Sequence, residues 1–218
     1  MQFVFALTAG GRPAATAIGP RSHYVELDTS SSHTTVAVGV HFKPGGGSPF
    51  LSVPAGELHN RIVPLIDACG ISATHLIEQL FYTGTGTPCF RQLESALFAS
   101  ASGRFDRNPG VRHAVHRFEN GCPVGEVVRE IGMSQRRFLE LFRDEVGLSP
   151  KVFSRVRRFS EVLRSLDDAS DPDFAQIALS CGYFDQAHFN HDFHAFSGMT
   201  PSIYRRQRTS RTHVAVAT

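Results

Sequence analysis

The sequence predicts a multidomain chain: a small α+β domain followed by an all-α domain of about seven helices. Three observations carry this prediction. The first fifty residues show the alternating apolar pattern and the glycine and proline punctuation of β-strands. Residues 124–204 contain one helical pattern that is written twice. The charge density also changes near residue 105, because residues 1–104 carry six basic and six acidic side chains and residues 105–218 carry sixteen and fourteen.

The repeated pattern has four parts: a short apolar-periodic segment, a glycine, a polar capping residue, and a helix with phenylalanine at positions i and i+4. The caps are Ser134 and Asp185. The phenylalanines are Phe138 and Phe142 in the first copy and Phe189 and Phe193 in the second, 51 positions later. A glycine that closes one helix, followed by a cap for the next, is typical of a helix-turn-helix. The sequence therefore predicts two such units.

Further helices are predicted around the two units. Asn108 followed by Pro109 predicts a helix start, because a capping side chain precedes proline at the first helical position. The helix that follows covers residues 110–120 and would pack on the first unit. Residues 150 to about 166 form a predicted helix that connects the two units.

The second copy carries a longer signature over nearly thirty positions. It reads Ala178-x3-Gly182-Tyr183, then Asp185-Gln186-Ala187-His188-Phe189-x3-Phe193, then Gly198-x-Thr200-Pro201-x2-Tyr204-Arg205. This signature resembles the DNA-binding domain of the AraC/XylS family of bacterial transcription regulators, and the resemblance covers about residues 108–208. It implies a cytoplasmic, sequence-specific regulator that inserts two recognition helices into successive major grooves of double-stranded DNA.

The resemblance also implies the residues that contact DNA. The predicted base-reading residues are Arg136, Leu139 and Glu140 in the first recognition helix and Gln186, Ala187, Asn190 and His191 in the second. Arginine suits guanine, glutamine and asparagine suit adenine, and glutamate accepts a hydrogen bond from cytosine. The predicted phosphate contacts are Arg137, Arg143, Arg155, His194 and Arg205.

The N-terminal half is predicted to contain a few strands, among them residues 3–7 and 33–41, followed by helices over residues 57–68, 73–81 and 88–100. Residues 39–58 resemble the N-terminal half of a subgroup of the same regulators, whose β-rich part is cupin-like. The β portion of this chain begins later than in that pattern, so a truncated cupin-like domain is expected.

The predicted domains are residues 1–104, a sensor or dimerisation domain, residues 108–208, the DNA-binding domain, and residues 209–218, a flexible tail. Residues 103–110 are the predicted linker. The resemblance leaves open a small-molecule effector and a homodimer formed through the N-terminal domain.

Other chemistries have weak support in the sequence. The histidines at 188, 191 and 194 follow one another at intervals of three residues along the helix, and no metal site is expected there. The four cysteines lie far apart and predict neither a disulfide framework nor a zinc site. The chain lacks a nucleophile elbow, a phosphate loop and a dinucleotide fingerprint, so neither an enzyme nor a cofactor is expected. The apolar residues 3–7 are too few for a membrane span.

Two other functions stay open at this point. The first is a helical protein-interaction module that does not bind DNA. The second is a cupin-type metalloenzyme, which is weakly suggested by histidines scattered through the N-terminal half. Steep loss of DNA binding with salt would separate a regulator from an interaction module, because phosphate contacts release counterions.

Overall fold

The computed structural model describes residues 1–8, 13–24, 34–81, 90–101, 105–168 and 173–208. These residues form two separate buried apolar clusters, one drawn from residues 1–97 and the other from residues 111–204. The first cluster lies in an α+β unit and the second in an all-α unit, which confirms the predicted fold class. Among the helices in the described ranges, none has the length and apolar composition needed to cross a lipid bilayer.

The N-terminal unit is built on an antiparallel sheet. Its described strands are β1 (Gln2–Thr8), β2 (Pro13–Ile18), β3 (Thr34–His41) and β4 (Ile62–Pro64), in the order β3-β1-β2-β4. Alternate side chains of the central strand β1 point to one face of the sheet, so Phe3 and Phe5 are both fully buried. The predictions for β1 and β3 are confirmed, whereas β2 was not predicted.

The helix predicted over residues 57–68 is wrong. This stretch contains a 3-10 turn (Ala55–Leu58), then β4, then a short helix α1 (Leu65–Cys69). Asn60 breaks the predicted helix, because its φ of 59° lies in the left-handed region. Pro64 has no N–H to donate within a helix and instead occupies the position just before the first residue of α1.

Two helices complete the N-terminal unit. Helix α2 (Ile71–Phe81) and helix α3 (Phe90–Ser100) bury Leu76 and Leu93 in the same cluster as the sheet. Both helices were predicted. The predicted start of α3 at residue 88 lies outside the described residues.

The C-terminal unit consists of seven helices within the described residues, as predicted. They are α4 (Pro109–Glu119), α5 (Val124–Glu130), α6 (Gln135–Val146), α7 (Pro150–Asp168), α8 (Phe174–Ser180), α9 (Gln186–Ser197) and α10 (Pro201–Arg208). Helices α5 and α6 form the first helix-turn-helix, α8 and α9 form the second, and α7 connects them.

All three predicted helix caps are confirmed. The Asn108 side chain accepts hydrogen bonds from the first turn of α4, whose first residue is Pro109. Ser134 Oγ accepts from the N–H of Arg137 at 3.3 Å. Asp185 Oδ1 accepts from the N–H of His188 at 2.7 Å. Each cap satisfies backbone donors that have no partner within the helix, so the starts of α4, α6 and α9 are fixed by the sequence.

The two helix-turn-helix units pack around equivalent aromatic rings. The ring of Phe142 in α6 has its centroid 5.6 Å from the rings of Phe118, Phe138 and Phe153. The ring of Phe193 in α9 lies 5.1 Å from Phe159, 5.7 Å from Phe189 and 5.5 Å from Tyr204. Helix α7 supplies Phe153 to the rings around Phe142 and Phe159 to the rings around Phe193. The connector is therefore part of both cores.

Residues 19–24, which we name the bridging segment, follow β2 and are held by the turn at His59 and Asn60. The N–H of Asn60 donates to the carbonyl oxygen of Pro20 at 2.9 Å. The Asn60 Oδ1 atom accepts from the N–H of Ser22 at 2.8 Å, and its amide donates to Ser22 Oγ at 3.0 Å. His59 Nε2 lies 2.8 Å from the same hydroxyl. This network fixes the first half of the bridging segment to the N-terminal unit.

We expect His59 to make the stability of this network depend on pH. Burial lowers the pKa of His59 below its ordinary value of 6.5, and His23 and Arg143 lower it further. Below pH 6.5 the histidine of the unfolded chain takes up a proton, whereas the ring in the folded protein resists protonation. The free energy of unfolding should therefore fall as the pH drops through 6.5, and above that pH it should not depend on this ring. Denaturant unfolding at about pH 7.5 and about pH 5.5 measures the effect. His59→Gln should lose less stability over this interval than the wild type, and equal losses would contradict the prediction.

Candidate nucleic-acid interface

The polar face of α6 is open to solvent, and its apolar face anchors the helix. Phe138 and Phe142 are fully buried. The predicted base-reading residues Arg136, Leu139 and Glu140 all lie on the exposed side, and the Arg136 side chain is 90% exposed. The structure therefore places these three residues together on one accessible surface at the N-terminal half of α6.

The same division holds in α9. Phe189 and Phe193 are fully buried, while all four predicted base-reading residues are exposed: Gln186, Ala187, Asn190 and His191. Gln186 is the first residue of the helix, directly after the cap Asp185. The exposed surface of α9 therefore begins at the helix N-terminus, as it does in α6.

The charges on α6 are partly paired with one another. Arg136 Nε donates to Glu140 Oε1 at 3.1 Å, and Arg137 Nη1 lies 4.0 Å from Glu140 Oε2. An exposed intrahelical pair of this kind contributes about 0.3–0.5 kcal/mol, so it constrains these side chains weakly. A guanine edge or a phosphate can therefore replace Glu140 as the partner of either arginine.

Arg155 has a different environment from the other predicted phosphate contacts. Its Nη2 and Nε atoms donate to Asp192 Oδ1 at 2.6 Å and Oδ2 at 3.3 Å, and the Asp192 side chain is only 3% exposed. The guanidinium also lies 5.2 Å from the centre of the Phe196 ring. Hydrogen bonding to Asp192 raises the pKa of Arg155. This forked pair links α7 to α9, so Arg155 has a structural role, and its predicted phosphate contact stays a prediction.

The remaining predicted phosphate contacts lie in α6, α9 and α10. Arg143, near the C-terminus of α6, packs against the N-terminal unit, where a Cβ built on Gly56 would lie 2.7 Å from Arg143 Cγ. His194 is exposed, and its carbonyl accepts from the N–H of Gly198 at 2.8 Å. Arg205 is half-buried in α10. Arg137, His194 and Arg205 stay predictions as phosphate contacts, and Arg143 is also an interdomain contact.

Two residues near the interface were missed from the sequence. Asp192 is buried although it is charged, and a signal for this was present, because a helical wheel places Asp192 beside Phe193 and Phe196 on the apolar side of α9. Phe184 is 87% exposed in the turn before Asp185. An apolar ring at this position can contact a thymine methyl group. The sequence offered a signal for its exposure, because Phe184 is not part of a periodic apolar pattern.

The described residues contain no cluster of three or more histidine, cysteine, aspartate or glutamate side chains placed to hold a metal ion. The three cysteines they include are free thiols. Burial raises the pKa of Cys69 to about 12, which keeps this thiol protonated. Cys122 and Cys181 are half-buried.

Comparisons with known proteins agree with this architecture. A family model described as a helix-turn-helix domain matches residues 127–207, and one described as a domain of unknown function matches residues 1–64. The virulence regulon transcriptional activator VirF of Yersinia enterocolitica is 29% identical over 122 residues, or 55% of this chain and 45% of VirF. The regulator ExsA of Pseudomonas aeruginosa is 31% identical over 87 residues, or 40% of this chain and 31% of ExsA. Residues 127–207 form an AraC-type helix-turn-helix domain.

A solved structure is also similar to this half of the chain. The DNA-binding domain of AdpA, solved in complex with a target DNA, is 23% identical and covers 48% of this chain and 97% of that domain, with a TM-score of 0.43. The chain spans less than half the length of the curated relatives VirF and ExsA. Both are transcription regulators rather than enzymes, in agreement with the prediction that this chain is not an enzyme.

Proposed function

We propose that the chain is a sequence-specific transcription regulator that reads double-stranded DNA with α6 and α9. The observation that carries the proposal is the pair of exposed polar faces, one on each capped second helix of an AraC-type domain. Because α7 is part of both aromatic cores, the two helices are held on one connector. One chain would then read a tandem site whose halves lie about one helical turn, or about 34 Å, apart.

The proposed base-reading residues are those predicted from the sequence. Arg136 and Glu140 in α6, and Gln186 and Asn190 in α9, have the donors and acceptors that match base edges in the major groove. Leu139, Ala187 and His191 complete the two faces. The proposed phosphate contacts are Arg137, His194 and Arg205 around these faces, with Arg143 and Arg155 sharing that role with the protein contacts described above.

The proposed domain boundaries are residues 1–104 and 108–208. The two separate buried clusters support this division. The proposed tail, residues 209–218, lies outside the described residues. A small-molecule effector and a homodimer formed through the N-terminal domain stay predictions of the family resemblance.

Selection of bound duplexes from a randomised pool, followed by binding at several salt concentrations, tests the proposed function. A regulator of this kind should enrich a tandem motif and lose affinity linearly on a plot of log affinity against log salt, with a slope of about −0.9 for each phosphate contact. Failure to enrich any motif, with salt-independent or absent DNA binding, would favour the protein-interaction module instead.

Arg136→Ala should weaken binding to the selected site by about 1–3 kcal/mol and relax the preference at one base, because a bidentate contact to guanine is lost. Competition binding against duplexes substituted at each position of the motif measures both effects. Arg164→Ala is the matched control, since Arg164 is also an exposed arginine in an intrahelical ion pair, at 2.7 Å from Glu161, but lies on α7. An unchanged base preference in Arg136→Ala would remove this residue from the reading face.

A further inference from the structure

The bridging segment contacts both helix-turn-helix units at equivalent positions. Helices α6 and α9 each end at a glycine in the left-handed region, Gly147 with φ of 85° and Gly198 with φ of 71°. A Cβ built on Gly147 would overlap the ring of Pro20 and would lie 2.9 Å from the carbonyl oxygen of Ala55. A Cβ built on Gly198 would overlap the ring of Tyr24 and would lie 2.9 Å from its hydroxyl oxygen. The bridging segment therefore touches the C-terminal end of each proposed recognition helix.

Glycine is required twice over at these two positions. The positive φ is costly for residues with a Cβ, and the close approach of the N-terminal unit leaves no space for one. The two glycines are 51 positions apart, the same offset that relates Phe142 to Phe193. Each helix-turn-helix unit thus presents the same feature, a helix C-terminus at a glycine without a side chain, to a different residue of the bridging segment.

The bridging segment gives the two units a second connection besides α7. At one end Pro20 is fixed to the N-terminal unit by the hydrogen bond from Asn60 at 2.9 Å. At the other end the side chain of Tyr24 reaches Gly198 while remaining 43% exposed. A single connector allows two units to twist or bend relative to each other. A second contact at the far end of each recognition helix restricts that motion.

We propose that Tyr24 is a positioning residue that, through Gly198, fixes the separation and rotation of the two recognition helices, and so selects the half-site spacing that one chain reads. This inference rests on the proposed function, since it concerns the same two helices. One base pair inserted between the half-sites displaces the second by about 3.4 Å and rotates it by about 35°. Two recognition helices that are held by both α7 and the bridging segment cannot follow that change, whereas helices joined by α7 alone can adapt to it.

The test uses the full chain and the duplex selected by the wild type from a randomised pool, rebuilt with one or two base pairs inserted or deleted between its halves. The wild type should lose affinity about tenfold or more at each altered spacing, as if one half-site were misread. Tyr24→Ala should bind the original spacing within about threefold of the wild type and lose clearly less at the altered spacings. Tyr24→Phe, which keeps the ring, should restore the narrow profile. Phe90→Ala is the matched control, because Phe90 is an aromatic of the N-terminal unit that is 80% exposed.

The outcomes separate this inference from the proposed function. A wild type that enriches no duplex at all overturns the proposed function and the inference with it. A wild type that binds a tandem site but tolerates every spacing overturns the inference alone, as does a Tyr24→Ala variant that keeps the narrow profile. Equal loss of binding at every spacing in Tyr24→Ala also overturns it, since Tyr24 would then support the fold generally rather than the spacing.

Discussion

Arg155→Ala should lower the free energy of unfolding by about 3 kcal/mol, because it leaves a buried carboxylate without its charged partner. The Asp192 side chain is 3% exposed and its oxygens accept both hydrogen bonds from Arg155. The imidazole nitrogens of His188 and His191 lie 4.0 Å and 3.9 Å from the carboxylate, too far for a hydrogen bond. Denaturant unfolding of the full chain measures the loss.

The reverse substitution should cost less, and this asymmetry is the sharper test. Asp192→Ala leaves Arg155, whose side chain is 35% exposed and can turn toward water. We expect a loss of about 1–2 kcal/mol for Asp192→Ala. The double variant should be more stable than Arg155→Ala alone, since it removes the unpaired buried charge. If the two single losses add in the double variant, the pair is not coupled and the structural role assigned to Arg155 is wrong.

Phe193→Ala should lower the free energy of unfolding by about 3–5 kcal/mol, because a fully buried ring is lost from a cluster that cannot close around the space. Phe193 meets Phe159, Phe189 and Tyr204, which come from three different helices. Since α7 carries Phe159, the loss should also loosen the connector. Thermal unfolding followed by circular dichroism should show a lower midpoint.

Phe184→Ala supplies the matched control in the same helix-turn-helix. It removes the same side chain from a position that is 87% exposed, so its effect on stability should stay within about 0.5 kcal/mol. A similar loss for the two variants would show that the aromatic cluster around Phe193 is not the source of the stability of this unit.

The local features of the helical half could be predicted from the sequence. Caps such as Ser134 and Asp185 act on backbone groups within one turn, and the i, i+4 phenylalanines define the buried face of a helix without reference to other elements. Strand β2 was missed because its residues, Pro13 to Ile18, are mostly small and have weak β-propensity. Strand β2 forms because it pairs with β1 on one side and with β4 on the other. The sequence of the strand itself does not indicate this pairing.

The candidate interface was predictable to the same degree and for the same reason. The exposed faces of α6 and α9 follow from helical periodicity, so all seven predicted base-reading residues lie on them. The partners of the arginines do not follow from periodicity. Arg155 meets Asp192 across 37 positions, and Arg143 meets Gly56 across the boundary between the two structural units. Contacts of this kind depend on how whole helices are placed, which a repeat pattern does not specify.

The forked pair between α7 and α9 has a consequence for exchanging recognition helices between related proteins. At the offset of 51 positions, the counterpart of Asp192 in α6 is Leu141, which packs against the apolar core. Helix α6 can therefore be grafted onto another scaffold without a buried charge at this position. Helix α9 must be grafted together with an arginine at the position of Arg155, because the graft otherwise places an unpaired buried carboxylate in the new scaffold. The first recognition helix therefore has no counterpart of this ion pair, whereas the second depends on an arginine from its own connector.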